Sequence, residues 1–492
     1  MKKALVIGSG FAGLSAATSL AHKGWDVVIL EKNKIPGGRA RSFDAEGFKF
    51  DMGPSWYWMP DVFENYFRQF GKKVSDYYQL EKLNPSYRVY FGKNDYVDLP
   101  ASLEKCYELF ESIEKGSGEK LRRFISTSAY KYEVGINDLV YKPGRSLNEF
   151  MDWRIVKGLF QLDLLKSMRK YVHSTFKNPK LRQIVEFPIL FLGGTPQNTP
   201  ALYSLMNYAD MALGTWYPKG GMHKIVEGMV SLAREKGVAL KTGIEVKSLS
   251  VNGQDTINKV ITNKGDYEAD IIVGAADYHH IEQHLLPEPH RQYSEAYWEK
   301  RSMAPSSLLF YLGVNKKLKH LLHHNLFFDE SFDKHAEEIY NNPKWPSKPL
   351  FYVCAASKTD DTIAPDGMEN VFLLVPVAPG LQDEEAVREK YYKLIISRLK
   401  QVAGEDIEQN VIFKRSYAHK DFISDYHSFK GNAYGLANTL RQTAILKPAM
   451  KSKKVKNLYY TGQLTVPGPG VPPSLISGQV VAREIEKDYK AN

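Results

Sequence analysis

Two rhythms of apolar and polar positions run along this chain. Lys3-Ala4-Leu5-Val6-Ile7, apolar after its first residue, reads as a buried strand. Leu14 to Lys23 reads as a helix, and Asp26 to Leu30 as a second strand ending in Glu31. Later, a helix up to Lys236 is followed by strand-like runs at Val238 to Lys241, Glu245 to Val251 and Lys259 to Thr262. Ser307 to Val314, Leu350 to Cys354 and Val371 to Val377 predict a further sheet. Residues 101 to 216 look helical, and the last element is a helix from about Pro473 to Lys487, with proline at its start, where its missing N–H is not needed.

With 492 residues the chain has room for two or three domains, and 43% hydrophobic residues exclude global disorder. Its 30 tyrosines and 24 phenylalanines fit either a large core or a cavity walled with rings. A net charge of +10 suits nucleic acid or an anionic membrane surface. Without a zinc-finger spacing, an RNA-binding signature or a dense basic helix, the membrane surface is favoured over nucleic acid. Apolar runs such as Val371 to Ala378 are far shorter than the roughly 20 residues a spanning helix needs. The chain opens directly on a strand, so no signal peptide is expected. The two cysteines, Cys106 and Cys354, stand far apart in sequence and suggest neither a disulfide nor a metal centre, which fits a reducing cytoplasm.

The strongest chemical signal is Gly8-Ser9-Gly10-Phe11-Ala12-Gly13, set between the first strand and the first helix, with Glu31 closing the second strand. This is the dinucleotide fingerprint in its proper context. Gly8 allows the turn, Gly10 lets a pyrophosphate approach the backbone, and Gly13 lets the helix pack close to the sheet. Glu31 stands where a carboxylate accepts hydrogen bonds from ribose hydroxyls. Lys32 begins the stretch leading to Gly37-Gly38-Arg39, a second glycine pair with a cationic clamp for phosphate. Gly53, Pro54 and Ser55 follow in a turn-rich segment suited to pass beneath a flavin ring.

In these residues the chain resembles the superfamily of FAD-dependent amine oxidases and carotenoid desaturases: Gly8, Gly10, Gly13, Glu31, Gly37, Gly38 and Arg39 fall in that family's register. The resemblance implies non-covalent FAD rather than NAD. It further implies an α/β fold with a Rossmann-like FAD-binding domain, a mixed-sheet substrate domain and a helical insertion. The FAD domain would be discontinuous, from residues 1–75, 217–280 and 448–492; residues 76–100 and 281–447 would form the substrate domain, and 101–216 a helical lid or membrane-contact region. Val246 is placed beside the adenine and Asp277 near the nucleotide. The C-terminal loop Gly462-Gln463 to Gly470-Val471-Pro472 would bring a helix N-terminus to the flavin. That loop resembles the signature of bacterial-type phytoene desaturases, with departures at Gln463, Leu464, Val466 and Pro469.

What the resemblance implies about activity is hydride transfer to flavin N5 and proton loss from the neighbouring carbon, which adds a double bond to phytoene on the way to lycopene. Desaturation of a later or hydroxylated carotenoid, a flavin-dependent cis–trans isomerase and a non-enzymatic prenyl-binding escort are the alternatives. Electrons would leave for a diffusible quinone or dioxygen, as no second glycine fingerprint serves a nicotinamide. Glu149 is the candidate base. Leu159, Leu162, Leu165, Met168 and Val172, interleaved with Lys157, Lys166, Arg169 and Lys170, fit either a core helix or a surface patch on the inner face of the cell membrane. Lys451, Lys453, Lys454 and Lys456 would add to that basic surface. His320, His323 and His324 are expected in a solvated loop, and no metal is assigned.

Overall fold

The computed structural model describes residues 1–146, 149, 166–439 and 442–490. Its centre is a parallel sheet of five strands in the order Leu458–Tyr460, Ile271–Gly274, Lys3–Ile7, Asp26–Glu31 and Ala239–Thr242. Three remote stretches of chain thus share one sheet. Its inner strands are apolar along their middles because helices cover them, and Leu5, Val6, Val27 and Ile29 are all buried, while the edge strand Ala239–Thr242 exposes Lys241 and Thr242. Helix Phe11–His22 and the C-terminal helix Val471–Lys490 lie against each other, with Ser15 Oγ donating to the carbonyl of Leu475 at 2.7 Å. Only glycine permits that approach: a Cβ on Gly478 would stand 2.4 Å from the carbonyl oxygen of Ala12.

A second, mixed sheet of seven strands runs in the order Val411–Tyr417, Ser306–Val314, Glu369–Val377, Phe351–Cys354, His324–Phe327, Tyr87–Gly92 and Asp95–Leu99. Strand Ser306–Val314 is buried at every position. Leu308, Phe310 and Leu312 pack with Tyr391 and Ile395 of helix Glu385–Arg398 on one face. Leu309 and Tyr311 point to the other face and join the main core. Burial on both sides is why this strand reads as an unbroken apolar run.

The region expected to be helical contains helices Leu103–Ile113, Ser117–Val134, Met168–Thr175 and Pro179–Glu186. Leu159, Leu162, Leu165 and Lys157 lie outside the described residues. Met168 and Val172 are fully buried, and Arg169 is paired with Glu186 and Asp333, so this described end of the segment packs into the core. Lys451 is paired with Asp488, while the tips of Lys454 and Lys456 rest on the carbonyls of Pro289 and Gln254.

Candidate functional site: a cavity joining two sheets

One cavity of about 430 Å³ reaches from the ends of the parallel strands to the face of the mixed sheet. Gly8, Ser9, Gly10, Glu31, Lys32, Gly38, Arg39, Gly53, Pro54, Ser55, Val246 and Asp277 line it, together with Gly462, Gln463, Gly470, Val471 and Pro472. Gly13 does not line it; it sits one turn into the helix, against Gly8.

Two helix N-termini open into this space, at Phe11 and at Val471. Their free N–H groups and positive dipole ends favour a bound diphosphate and a developing negative charge. A Cβ on Gly10 would meet no atom within 4 Å, so the backbone there faces open space where a pyrophosphate fits. Glu31 is already engaged: its Oε2 accepts the N–H of Ser9 at 2.8 Å and the hydroxyl of Ser9 at 2.6 Å, and its Oε1 accepts the N–H of Asn33 at 2.8 Å. A carboxylate offers about four acceptor positions, so a ribose hydroxyl joins this arrangement or displaces the Ser9 hydroxyl.

Arg39 is half-buried, donating from Nη2 to Ser428 Oγ at 2.5 Å and to the Asn432 carbonyl at 3.2 Å, while its buried Nε has no partner. With its amide oxygen turned toward Arg39, Gln463 accepts from Nη1 at 3.2 Å and from Nη2 at 2.9 Å. Burial pulls the Arg39 pKa down, opposed by the Asp277 carboxylate. A guanidinium with an unused donor beside an open cradle is suited to a phosphate. Asp277 is itself pushed up by burial and accepts from the N–H groups of His280 and Phe429, so it fixes local backbone. Lys32 is engaged too, with Nζ donating to the Ser424 carbonyl and lying 3.2 Å from His427 Nε2.

Beyond Ser55 the cavity turns apolar. Trp56, Trp58 and Phe187 meet Leu326, Phe328 and Leu374 across it. The polar atoms there are few: the Tyr340 hydroxyl is buried without a partner, and His335 is held between the Leu350 N–H and the Pro376 carbonyl. Sequence reading missed these residues. The Trp56-x-Trp58 spacing after Ser55 was the available signal, as two large rings one strand-repeat apart face the same side.

Two expectations need correction. Glu149 does not line the cavity; its carboxylate accepts the N–H groups of Gly144 at 2.9 Å and Arg145 at 3.0 Å and closes a surface loop. His320 is exposed as expected, but His323 and His324 are buried, because His324 begins a strand of the mixed sheet. Burial holds both imidazoles neutral, drawing the His323 pKa to about 3. Cys354 lies beside them in the folded chain.

Comparison with known proteins gives a consistent picture. The family profile described as flavin containing amine oxidoreductase matches residues 11–486. The chain is 41% identical, over 98% of each protein, to a carotenoid 3,4-desaturase of Haloarcula japonica. It is 30% identical to a zeta-carotene-forming phytoene desaturase of Myxococcus xanthus, over 98% of this chain and 94% of the relative. Among solved structures, an oxidoreductase from Methanosarcina mazei superposes with a TM-score of 0.62 at 15% identity, covering 98% of this chain and all of the other. Putrescine oxidase with bound putrescine gives 0.62 at 13% identity over 99% of each chain. At these identities the likeness is one of fold.

Proposed function

The chain belongs to the flavin-containing amine oxidoreductases and, within them, to the carotenoid desaturases; from that premise we propose that it desaturates the 3,4 position of a carotenoid already lengthened in conjugation. The enzyme is an FAD-dependent oxidoreductase acting on CH–CH bonds. What carries the finer reading is the 41% identity to the 3,4-desaturase along nearly the whole chain, against 30% to the phytoene desaturase. The partnerless Tyr340 hydroxyl in an apolar chamber supports it, since a polar end group on the polyene would satisfy it.

Bound FAD supplies the hydride acceptor. The protein's part is placement and exclusion of water. Arg39, Gln463 and the two helix N-termini hold the cofactor, while Trp56, Trp58 and Phe187 present ring faces to a conjugated chain. Of the described carboxylates that line the cavity, Glu31 and Asp277 are committed to backbone N–H groups and Asp425 is paired with Arg41 at 2.5 Å. The remaining one, Glu245, is paired with Lys247. Among the described residues no carboxylate is left free to take the substrate's proton, and the conjugation of the polyene itself stabilises the cation. A quinone or dioxygen takes the electrons, and the substrate arrives from the inner face of a membrane on which the protein lies. No helix among the described residues is long and apolar enough to span that membrane.

The test is expression in two hosts, one accumulating phytoene and one accumulating lycopene. The proposal expects loss of two hydrogens, by mass, from the extended polyene. Conversion of phytoene to lycopene with the extended polyene untouched would establish the phytoene reading instead.

A further inference from the structure

Strands His324–Phe327 and Phe351–Cys354 pair antiparallel with His324 directly opposite Cys354. His323 precedes that strand, and its carbonyl accepts the N–H of Ala355, which ties it to the same corner. The three residues each bring a donor atom within 4.8 Å of the others, and all three are buried. Both imidazoles are set up alike. His323 Nδ1 lies 2.8 Å from Thr359 Oγ1, and His324 Nδ1 lies 2.6 Å from the Tyr352 hydroxyl, which passes its own proton to Ser55 Oγ at 3.0 Å. With Nδ1 donating, each ring keeps a lone pair at Nε2, and neither Nε2 has a partner. Hydroxyls that hold Nδ1 and aim Nε2 are what a metal-binding histidine requires around it. A small space of about 30 Å³, walled by His323, Cys354 and Asp51, adjoins the group.

We propose that His323, His324 and Cys354 bind a single borderline-soft cation of the zinc class, with a water as the fourth ligand; the Asp51 carboxylate nearby is held by the N–H groups of Met222 and His223. Two imidazoles and a thiolate suit zinc and exclude calcium or magnesium, which take oxygen. On binding, the Cys354 thiol loses its proton to solvent and the sulfur's electron pair goes to the metal. All three protein ligands are buried and fixed at the corner of two paired strands, so the role assigned to the cation is structural. Trp56 stacks on His324 at 4.1 Å with the rings 8° from parallel, and Ser55 hangs on Tyr352. A cation there would fasten the segment Gly53 to Trp56, which floors the cavity, to the mixed sheet.

The flavin-loaded full-length protein is stripped with a chelator and titrated with cobalt(II), then with zinc(II). The expected result is a near-ultraviolet thiolate-to-cobalt charge-transfer band that saturates at one metal per chain and is displaced by zinc. Cys354→Ser should lose that band while still carrying flavin. Thr359→Val should keep it with about tenfold or greater loss of zinc affinity, because one imidazole is no longer oriented. A folded, flavin-loaded wild type that shows no such band and no rise in melting temperature with zinc overturns the proposal. So does a Cys354→Ser protein that responds as the wild type does.

Discussion

A methyl group placed on Gly13 would stand 2.0 Å from the carbonyl oxygen of Gly8, well inside van der Waals contact. The turn and the helix that follows it are packed as one piece, and the cradle at Gly10 depends on both. Gly13→Ala is therefore expected to yield protein that retains little or no flavin. Flavin released per chain on denaturation is the measurement, and a normal content would mean that the turn is not what holds the cofactor.

Glu31 receives charged hydrogen bonds on both oxygens before any ribose arrives. Neutralising it as Glu31→Gln should weaken FAD binding by about 10- to 100-fold, as expected for hydrogen bonds to a charged group. Titration of stripped protein with FAD gives the constant. Ser9→Ala should weaken binding far less, because its hydroxyl supplies only one of the three bonds that Glu31 accepts and the carboxylate keeps its charge.

For Glu149 the structure predicts an effect on stability and not on chemistry. Glu149→Ala frees two backbone N–H groups at a loop and should cost about 1–2 kcal/mol. Turnover by the flavin-loaded variant should stay within about twofold of wild type, by the scale on which base removal costs at least a hundredfold. A large fall in turnover at unchanged stability would restore it as the base.

Asp210 is fully buried, takes a 2.7 Å bond from Tyr87 and a 3.4 Å bond from Thr215, and has its pKa pushed up by burial to about 7. A carboxyl raised in the folded state binds protons that the unfolded chain has released. Its contribution is therefore complete below the ordinary carboxylate pKa of about 4 and declines as pH rises toward 7, by up to a few kcal/mol. Denaturant melts between pH 4 and 8 should show that decline, and Asp210→Asn should flatten it. The same slope in the variant would assign it to another group.

Tyr340→Phe removes a buried hydroxyl that has no partner in the chamber. The variant should fold at least as well as wild type and handle pure hydrocarbon polyenes normally. Its preference for a hydroxylated polyene over the hydrocarbon, as a ratio of kcat/KM, should fall by about tenfold, the worth of one buried hydrogen bond. An unchanged ratio would place the polar end group elsewhere.

How much of this was legible in the amino-acid order depended on how local each cause was. Lys3–Ile7 and Ser306–Val314 declare themselves because both faces of each strand are covered and residues 4–7 and 308–312 are all apolar. The glycine turn is legible because its demands are steric and fall within six residues. His324 misleads because its burial comes from a strand partner 30 residues away, Cys354, that no local rhythm announces. The hairpin Ser42–Ala45 with Phe48–Asp51 was passed over, its large apolar residues being Phe43, Phe48 and Phe50. The strand over Phe351–Cys354 was legible as an apolar run, but not that Tyr352 meets a cavity there.

The parallel sheet has Leu458–Tyr460 at one edge and leans on helix Val471–Lys490, more than 400 residues after Lys3–Ile7. A ribosome making this protein must therefore pass Val471–Lys490 before the nucleotide cradle can exist, and the first βαβ unit waits half-covered until then. Flavin supply acts on a completed chain, and starvation for it would leave finished polypeptide exposed to proteases rather than stalled synthesis.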